Sequence, residues 1–260
     1  MEIFDLHSDV LTATNNPYEV LKGYSSNVTV CTAIYKGNLT DNQFILKVNE
    51  FYKNNPINAK LCFEDVGYDK ICDDQIISYN PLYVQLTYND ENKYGYGCNY
   101  NLPLKKLGVN FVKKLYKNGI YVDLAHLSKR GALSVLENTN KVICSHTLFK
   151  KVYNHKRNID EDVIKGVINC GGVIGACLVG YFAGESKSLS EFVNNVDYFI
   201  QKFEDNNLAI GTDFFGTDIF IGDVDNYNKF EVIINAILNK GYSKSTLQKI
   251  LYKNAKKILK

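Results

Sequence analysis

Residues 120–146 read IYVDLAHLSKRGALSVLENTNKVICSH. The stretch opens on an apolar run, Ile120–His126, passes through helical periodicity over Lys129–Asn138, and closes on a second apolar run, Val142–His146. Strand, helix and strand in this order make a parallel βα unit. Both runs end on a histidine. An ionisable group at the end of a buried strand is costly unless it is paired or coordinated.

The same grammar extends in both directions. Further strands are expected at Ile3–His7, Val28–Tyr35, Lys60–Glu64, Leu82–Thr87, Gly172–Leu178 and Leu208–Asp213, making eight in all. Helical patterns follow at Asn42–Tyr52, Leu104–Asn118, Glu161–Asn169, Leu189–Asn206 and Tyr227–Asn239, with a last helix from Ser243, an N-cap residue, to Leu259. Eight βα units predict a closed (β/α)8 TIM-like barrel, as one domain over residues 1–260, with its site at the C-terminal face of the strands. Two places are weak: the first unit, interrupted by Pro17 and Gly23, and the short polar segment Asp69–Tyr79. The Gly- and Asp-rich loop 214–226 is expected over the C-terminal face, with the loop 180–188 beside it.

Composition narrows the classes. Thirty Lys and Arg stand against 28 Asp and Glu, a net charge of +2, which points to no nucleic-acid surface and no polybasic membrane patch. No apolar run is long enough to span a bilayer. Seven cysteines without a CxxC pair read as reduced thiols, several in apolar runs. The expectation is a cytoplasmic protein without signal peptide or membrane association; a homodimer is left open.

Five expected strand ends carry an ionisable group: His7 with Asp9, Glu64, His126, His146 and Asp213. His7 and Asp9, two apart, would share a face of an extended strand and grip one divalent ion. His126 and His146 end adjacent strands and would grip a second. Glu64 has two oxygens that can bridge the ions, or it is an ion-paired structural residue. Imidazole and carboxylate together suit zinc with a position left for water. Asp213 either moves the proton of the attacking water or hydrogen-bonds a ligand histidine. Asp5 and Asp123 read as groups that brace the ligands, on the same face as His7. Arg157 reads either as a surface arginine or as a clamp for a substrate carboxylate. His155 reads as a solvated loop residue.

At these residues the chain resembles the membrane dipeptidase (renal dipeptidase) family of zinc peptidases. Asp5-Leu6-His7-Ser8-Asp9 resembles its D-x-H-x-D motif, and Asp123-Leu124-Ala125-His126-Leu127-Ser128 its D-L-S-H-x-S motif. Cys144-Ser145-His146-Thr147, Arg157-Asn158 and Gly211-Thr212-Asp213-Phe214 resemble three more. The resemblance implies a barrel with two zinc ions that hydrolyses dipeptides. It implies that His7, Asp9 and Glu64 bind one ion, and Glu64, His126 and His146 the other. It gives Asp213 the acid/base role and Arg157 the substrate carboxylate, and it sets Tyr181 near the substrate.

The chain departs from the family at three points. Tyr88 follows Leu86-Thr87 where the family often has a histidine thought to help the tetrahedral intermediate. A phenol can donate a hydrogen bond to an oxyanion but cannot act as an imidazolium; alternatively Tyr88 is a rim aromatic. Phe215 replaces the second Asp of D-F-D-G, and the region after Glu64 looks trimmed. The leading expectation is a metallo-dipeptidase. The rivals are a dizinc amidohydrolase for another small amide or a lactone, and a degenerate member that binds metal or peptide without turnover.

Overall fold

Eight parallel strands hydrogen-bond in chain order and close into a barrel, as expected. They are β1 (Ile3–Ser8), β2 (Val28–Tyr35), β3 (Ala59–Glu64), β4 (Tyr83–Gln85), β5 (Tyr121–Asp123), β6 (Val142–Thr147), β7 (Ile174–Ala176) and β8 (Leu208–Ile210). The computed structural model describes residues 1–37, 39–68 and 71–259.

Local chemistry starts the helices between the strands. Thr40 with Gln43 and Ser188 with Glu191 form capping boxes on Asp41–Asn54 and Leu189–Phe203. Ser128 and Ser243 each accept a backbone N–H at the start of Lys129–Leu136 and Lys244–Gln248. The weak first unit holds two short helices, Val10–Ala13 and Pro17–Gly23. The short polar segment holds the six-residue helix Asp73–Ser78, while Asp69 and Lys70 lie outside the described residues. The expected helix from Tyr227 begins as a 3-10 turn, Tyr227–Lys229, before Phe230–Asn239.

The core has two layers. The larger one lies between strands and helices and includes Val30, Phe63, Phe111, Val122, Ile164 and Phe199. The smaller fills the barrel: Phe4, Leu6, Cys31, Cys62, Tyr83, Ile143 and Ala209, joined by Ala255 and Leu259 from the chain's last helical segment. Cys31 and Cys62 thus behave as small apolar fillers. All seven cysteines are free.

Several strands end earlier than their apolar runs. β5 stops at Asp123, and His126 follows in a turn at φ 66°. β8 stops at Ile210, and Asp213 has φ 63°. Side chains intercept the backbone there: the N–H of Ala125 goes to Asp123 Oδ1, and that of Thr212 to Asp5 Oδ1. With those donors taken, the ladder cannot continue, and the chain turns over the barrel mouth.

The register also slips twice. On β1, two residues between Asp5 and Ser8 face one on β2; on β6, two between Cys144 and Thr147 face one on β7. Each is a β-bulge, which breaks the two-residue alternation and re-aims a side chain. His7 lies in the first and His146 in the second. The expectation that Asp5 shares a face with His7 by simple alternation is therefore corrected: the bulge intervenes, and Asp5 turns to Thr212 and Tyr227. Leu6 and His7, neighbours in sequence, both reach the barrel interior.

Candidate metal centre

His7, Asp9, Glu64, His126, His146 and Asp213 converge at the mouth of the barrel. Three overlapping groups, His7–Asp9–Glu64, Glu64–His126–His146 and His7–His146–Asp213, each hold ligand atoms within 4.8 Å of one another. His7 Nε2 lies 3.8 Å from Asp9, 3.7 Å from Glu64 Oε2 and 3.8 Å from Asp213. The other oxygen of Glu64 lies 3.4 Å from His126 Nε2. Glu64 therefore faces both histidine sets, one oxygen to each.

The hydrogen bonds fix the tautomers. Tyr83 Oη donates to the carbonyl of Leu6, so it accepts from His7 Nδ1–H at 2.8 Å. Ser145 Oγ donates to Asp123, so it accepts from His146 Nδ1–H at 2.8 Å. Asn89 Oδ1 accepts from His126 Nδ1–H at 2.9 Å. Each ring thus carries a proton on Nδ1 and turns Nε2 to the centre, with a bare lone pair on His126 and His146 and one freed on His7 when its second proton leaves. His126 Nε2 and His146 Nε2 face each other at 3.0 Å with no proton between them. His7 Nε2 and Asp9 Oδ1 are buried without a hydrogen-bond partner. Lone pairs this close repel unless a cation lies among them, so the donor set fits a metal. Ligand atoms around tetrahedral zinc stand about 3.4 Å apart, close to the spacings seen.

Electrostatics agree. Burial, aided by Arg157 and His7, pushes His126 and His146 well below the ordinary histidine pKa, so both stay neutral. Burial pulls His7 down too, but Asp9, Glu64 and Asp213 outweigh it and hold its pKa well above the ordinary value. Burial and the nearby Asp9 charge raise Glu64 far above the carboxylate range. Asp213 is pushed up to about 6 by burial and Asp9, against the pull of His7 and Arg157.

Asp5 and Asp123 brace the two bulges by the same device. Asp5 accepts the N–H of His7, two residues on, and both the N–H and the hydroxyl of Thr212. Asp123 accepts the N–H of Ala125, two residues on, and both the N–H and the hydroxyl of Ser145. Gly175 and Gly211 close the arrangement. A Cβ on either would fall within 2 Å of the Ser145 carbonyl, at 1.9 and 1.7 Å, so the bulge needs glycine both on the adjacent β7 and just after β8.

A cavity of about 260 Å³ opens beside the cluster, lined among others by Asp9, Tyr88, Arg157, Tyr181, Phe182 and Asp213. Arg157 is buried, stacks over Phe182 at 5.2 Å and reaches the His146 carbonyl at 3.4 Å. Its Nε has no partner, and among the described residues no carboxylate pairs with it. Tyr88 stacks on His126 with ring centroids 4.3 Å apart, and its N–H is held by Asp65. Tyr181 stands at the rim, 47% exposed. Phe215 turns to solvent.

His155 corrects its expectation as a solvated residue. It lines the cavity, stacks on Phe182 at 5.0 Å and accepts the N–H of Arg157. Tyr83, Gln85 and Asn89 were not singled out by the sequence. Gln85 donates to Glu64 at 2.8 Å, and the other two hold His7 and His126. Only Asn89, directly after Tyr88, carried a local cue.

A parallel (β/α)8 barrel with imidazoles and carboxylates gathered at its C-terminal mouth defines the metal-dependent hydrolase barrels as a class. Residues 77–260 match the family model of membrane dipeptidases, peptidase family M19, and the chain belongs to that family. Dipeptidase verJ of Clonostachys rogersoniana is 27% identical over 183 residues, 68% of this chain and 47% of that protein. Dipeptidase tcpJ of Claviceps purpurea (strain 20.1) is 23% identical over 186 residues, 68% of this chain and 44% of its own length. The matched stretch thus spans about half the length of these two relatives. The crystal structure of dipeptidase AC, a metallopeptidase, superposes with a TM-score of 0.86 at 14% identity, covering 100% of this chain and 98% of that one. A Rhodobacter sphaeroides metallopeptidase liganded with a phosphinate mimic of L-Ala-D-Ala gives 0.82 at 14% identity, with coverage of 100% and 98%. Among the described residues no helix is long and apolar enough to cross a membrane.

Proposed function

We propose that this chain is a two-metal dipeptidase in which His7, Asp9 and Glu64 hold one divalent ion and Glu64, His126 and His146 the other. The observation that carries the reading is the convergence of three histidine Nε2 atoms on a shared, buried carboxylate. Zinc suits this donor set. When bound, such a pair supplies Lewis acidity for a carbonyl and lowers the pKa of water.

The chain's own residues do the rest. Asp213, raised to about 6, is poised near neutrality to take the proton of the attacking water and return it to the leaving amine. Arg157, a buried cation without a carboxylate partner, binds the free C-terminal carboxylate of the substrate. A longer peptide would carry that carboxylate out of reach, which makes the site selective for dipeptides. Tyr88 keeps its phenol protonated, its pKa raised to about 12 chiefly by burial, and can donate to the developing oxyanion. Tyr181 covers the substrate from the rim. The dipeptidase names of verJ and tcpJ and the dipeptide mimic bound by the Rhodobacter sphaeroides enzyme support this reading.

Elemental analysis of the metal-replete protein, with kinetics on Ala-Ala, its amide and Ala-Ala-Ala, tests it. About two ions per chain and a strong preference for Ala-Ala are expected. Fewer than one ion would remove the two-metal reading. Equal kcat/KM on all three peptides would remove Arg157 as a carboxylate reader and the dipeptidase reading with it, in favour of another small amide or a lactone.

A further inference from the structure

We propose that the part of the site remote from the metal ligands is built for a second carboxylate, so that the favoured dipeptides carry Asp or Glu as their C-terminal residue; this rests on the dipeptidase reading above. Two adjacent cations, Lys156 and Arg157, line the cavity beside the metal ligands. Both also line a second hollow of about 180 Å³ that shares His126 with the first. That volume is several times the roughly 30 Å³ share of a water molecule.

The charges of this region do not cancel. The second hollow is lined by Lys129, Lys150, Lys156 and Arg157 against one acid, Asp160. Asp160 is already taken, with Lys129 and Lys150 each at 3.6 Å. Lys129 is further held by Asp162 at 2.8 Å. Lys156 and Arg157 are left, among the described residues, as lining cations without a carboxylate partner. The ammonium of Lys156 rests on an amide oxygen, Asn99 Oδ1, at 2.6 Å.

One α-carboxylate satisfies Arg157 and leaves Lys156 uncompensated. A carboxylate on the side chain of the same residue compensates it, because the two cations are consecutive in sequence and share both walls. The first cavity's acids, Asp9, Glu64 and Asp213, belong to the metal-ligand cluster, and none of them lines the second hollow. A neutral isostere, Gln for Glu, keeps the shape and loses the charge. Lys156 is exposed, so its effect is moderated by solvent.

The test compares L-Ala-L-Glu with L-Ala-L-Gln, and L-Ala-L-Asp with L-Ala-L-Asn, on the metal-loaded protein and on Lys156→Gln. The wild type is expected to favour the acidic member of each pair by about three- to tenfold in kcat/KM. The preference should shrink in 0.5 M salt and approach one in Lys156→Gln, with the change carried by KM. Equal kcat/KM within both pairs, or a preference that survives Lys156→Gln in full, overturns the proposal. If none of the four peptides is hydrolysed, the dipeptidase reading fails separately. The subsite is then decided by calorimetric Kd values for Ala-Glu and Ala-Gln on metal-loaded Asp213→Asn. Tighter binding of Ala-Glu supports it, and equal affinities overturn it.

Discussion

Asp213 sits at φ 63°, in the left-handed region that Asp enters more readily than most non-glycine residues. Its N–H bonds to the His7 carbonyl at 3.1 Å, and its carboxylate lies beside His7 and Asp9. Replacing it with Asn keeps the shape and removes the proton acceptor. Asp213→Asn is expected to fold and retain metal while kcat falls on the order of 10²–10⁴-fold; near wild-type turnover at full metal content would reduce Asp213 to a structural group. Arg157→Met preserves most of the packing against Phe182 and deletes the cation. The expected result is a rise in KM larger than the fall in kcat, with a loss of about 1.5–3 kcal/mol in kcat/KM, as for a charged hydrogen bond removed. A fall in kcat alone would place Arg157 in the chemistry rather than in ground-state binding. Steady-state kinetics on one dipeptide separate the two.

The elements that matter most are the two bulges, because each delivers a histidine. A bulge inserts one residue and leaves the local ladder unsatisfied, and here Asp5 and Asp123 take up the freed backbone donors. Ser145 couples this support to the ring of His146. Ser145→Ala removes the acceptor for His146 Nδ1–H and the hydroxyl donor to Asp123. Metal affinity should weaken by about 10–100-fold, read by competition with a chromogenic chelator, and Ser145→Thr should restore part of it. Affinity unchanged in Ser145→Ala would mean that packing alone orients the ring. Gly211→Ala tests the same bulge from the segment that follows β8. A Cβ there cannot coexist with the Ser145 carbonyl at 1.7 Å, so the variant should lose both stability and metal, seen together in urea unfolding and elemental analysis.

At the scale of the molecule, the barrel concentrates buried carboxylates and imidazoles at one mouth, with His7 and Arg157 offsetting part of the acidic charge. The sign of the pH dependence follows. His7 and Glu64 have folded pKa values above their unfolded ones, so the native state binds the extra protons and loses stability as pH rises. His126 and His146, pushed down, act in the opposite sense, but only below about pH 6.5, the ordinary histidine value. Asp213, titrating at about 6, is also spent by then. From about pH 6.5 to 8.5 the chelator-treated protein should therefore lose stability as pH rises, His7 leading. The metal-loaded protein should do the reverse over the same range, because deprotonated imidazoles bind a cation more tightly. Thermal denaturation of both forms across that range checks it. Parallel curves would mean that the cluster does not bind a metal.

The barrel and most of the residues gathered at its mouth were legible in the chain itself. An apolar run and a helical period are local properties, so the eight strands appear in order, and β2 and the helix Glu161–Asn169 fall at their expected bounds. A histidine or carboxylate closing a buried run is conspicuous for the same reason: it is a cost visible without knowing its neighbours. Other features depend on pairs of segments far apart. Whether a strand carries an extra residue is a property of two strands in register, which is why the bulges at His7 and His146 were invisible. The groups that set the tautomers and brace the bulges come from segments far off in sequence, as Tyr83 on β4 does for His7 and Thr212 after β8 for Asp5, 207 residues away. His155 reads as a polar loop residue until Phe182 is brought against it. Local hydrophobic patterning therefore specified the scaffold and the donors, while hydrogen bonding between distant strands decided where each donor atom points.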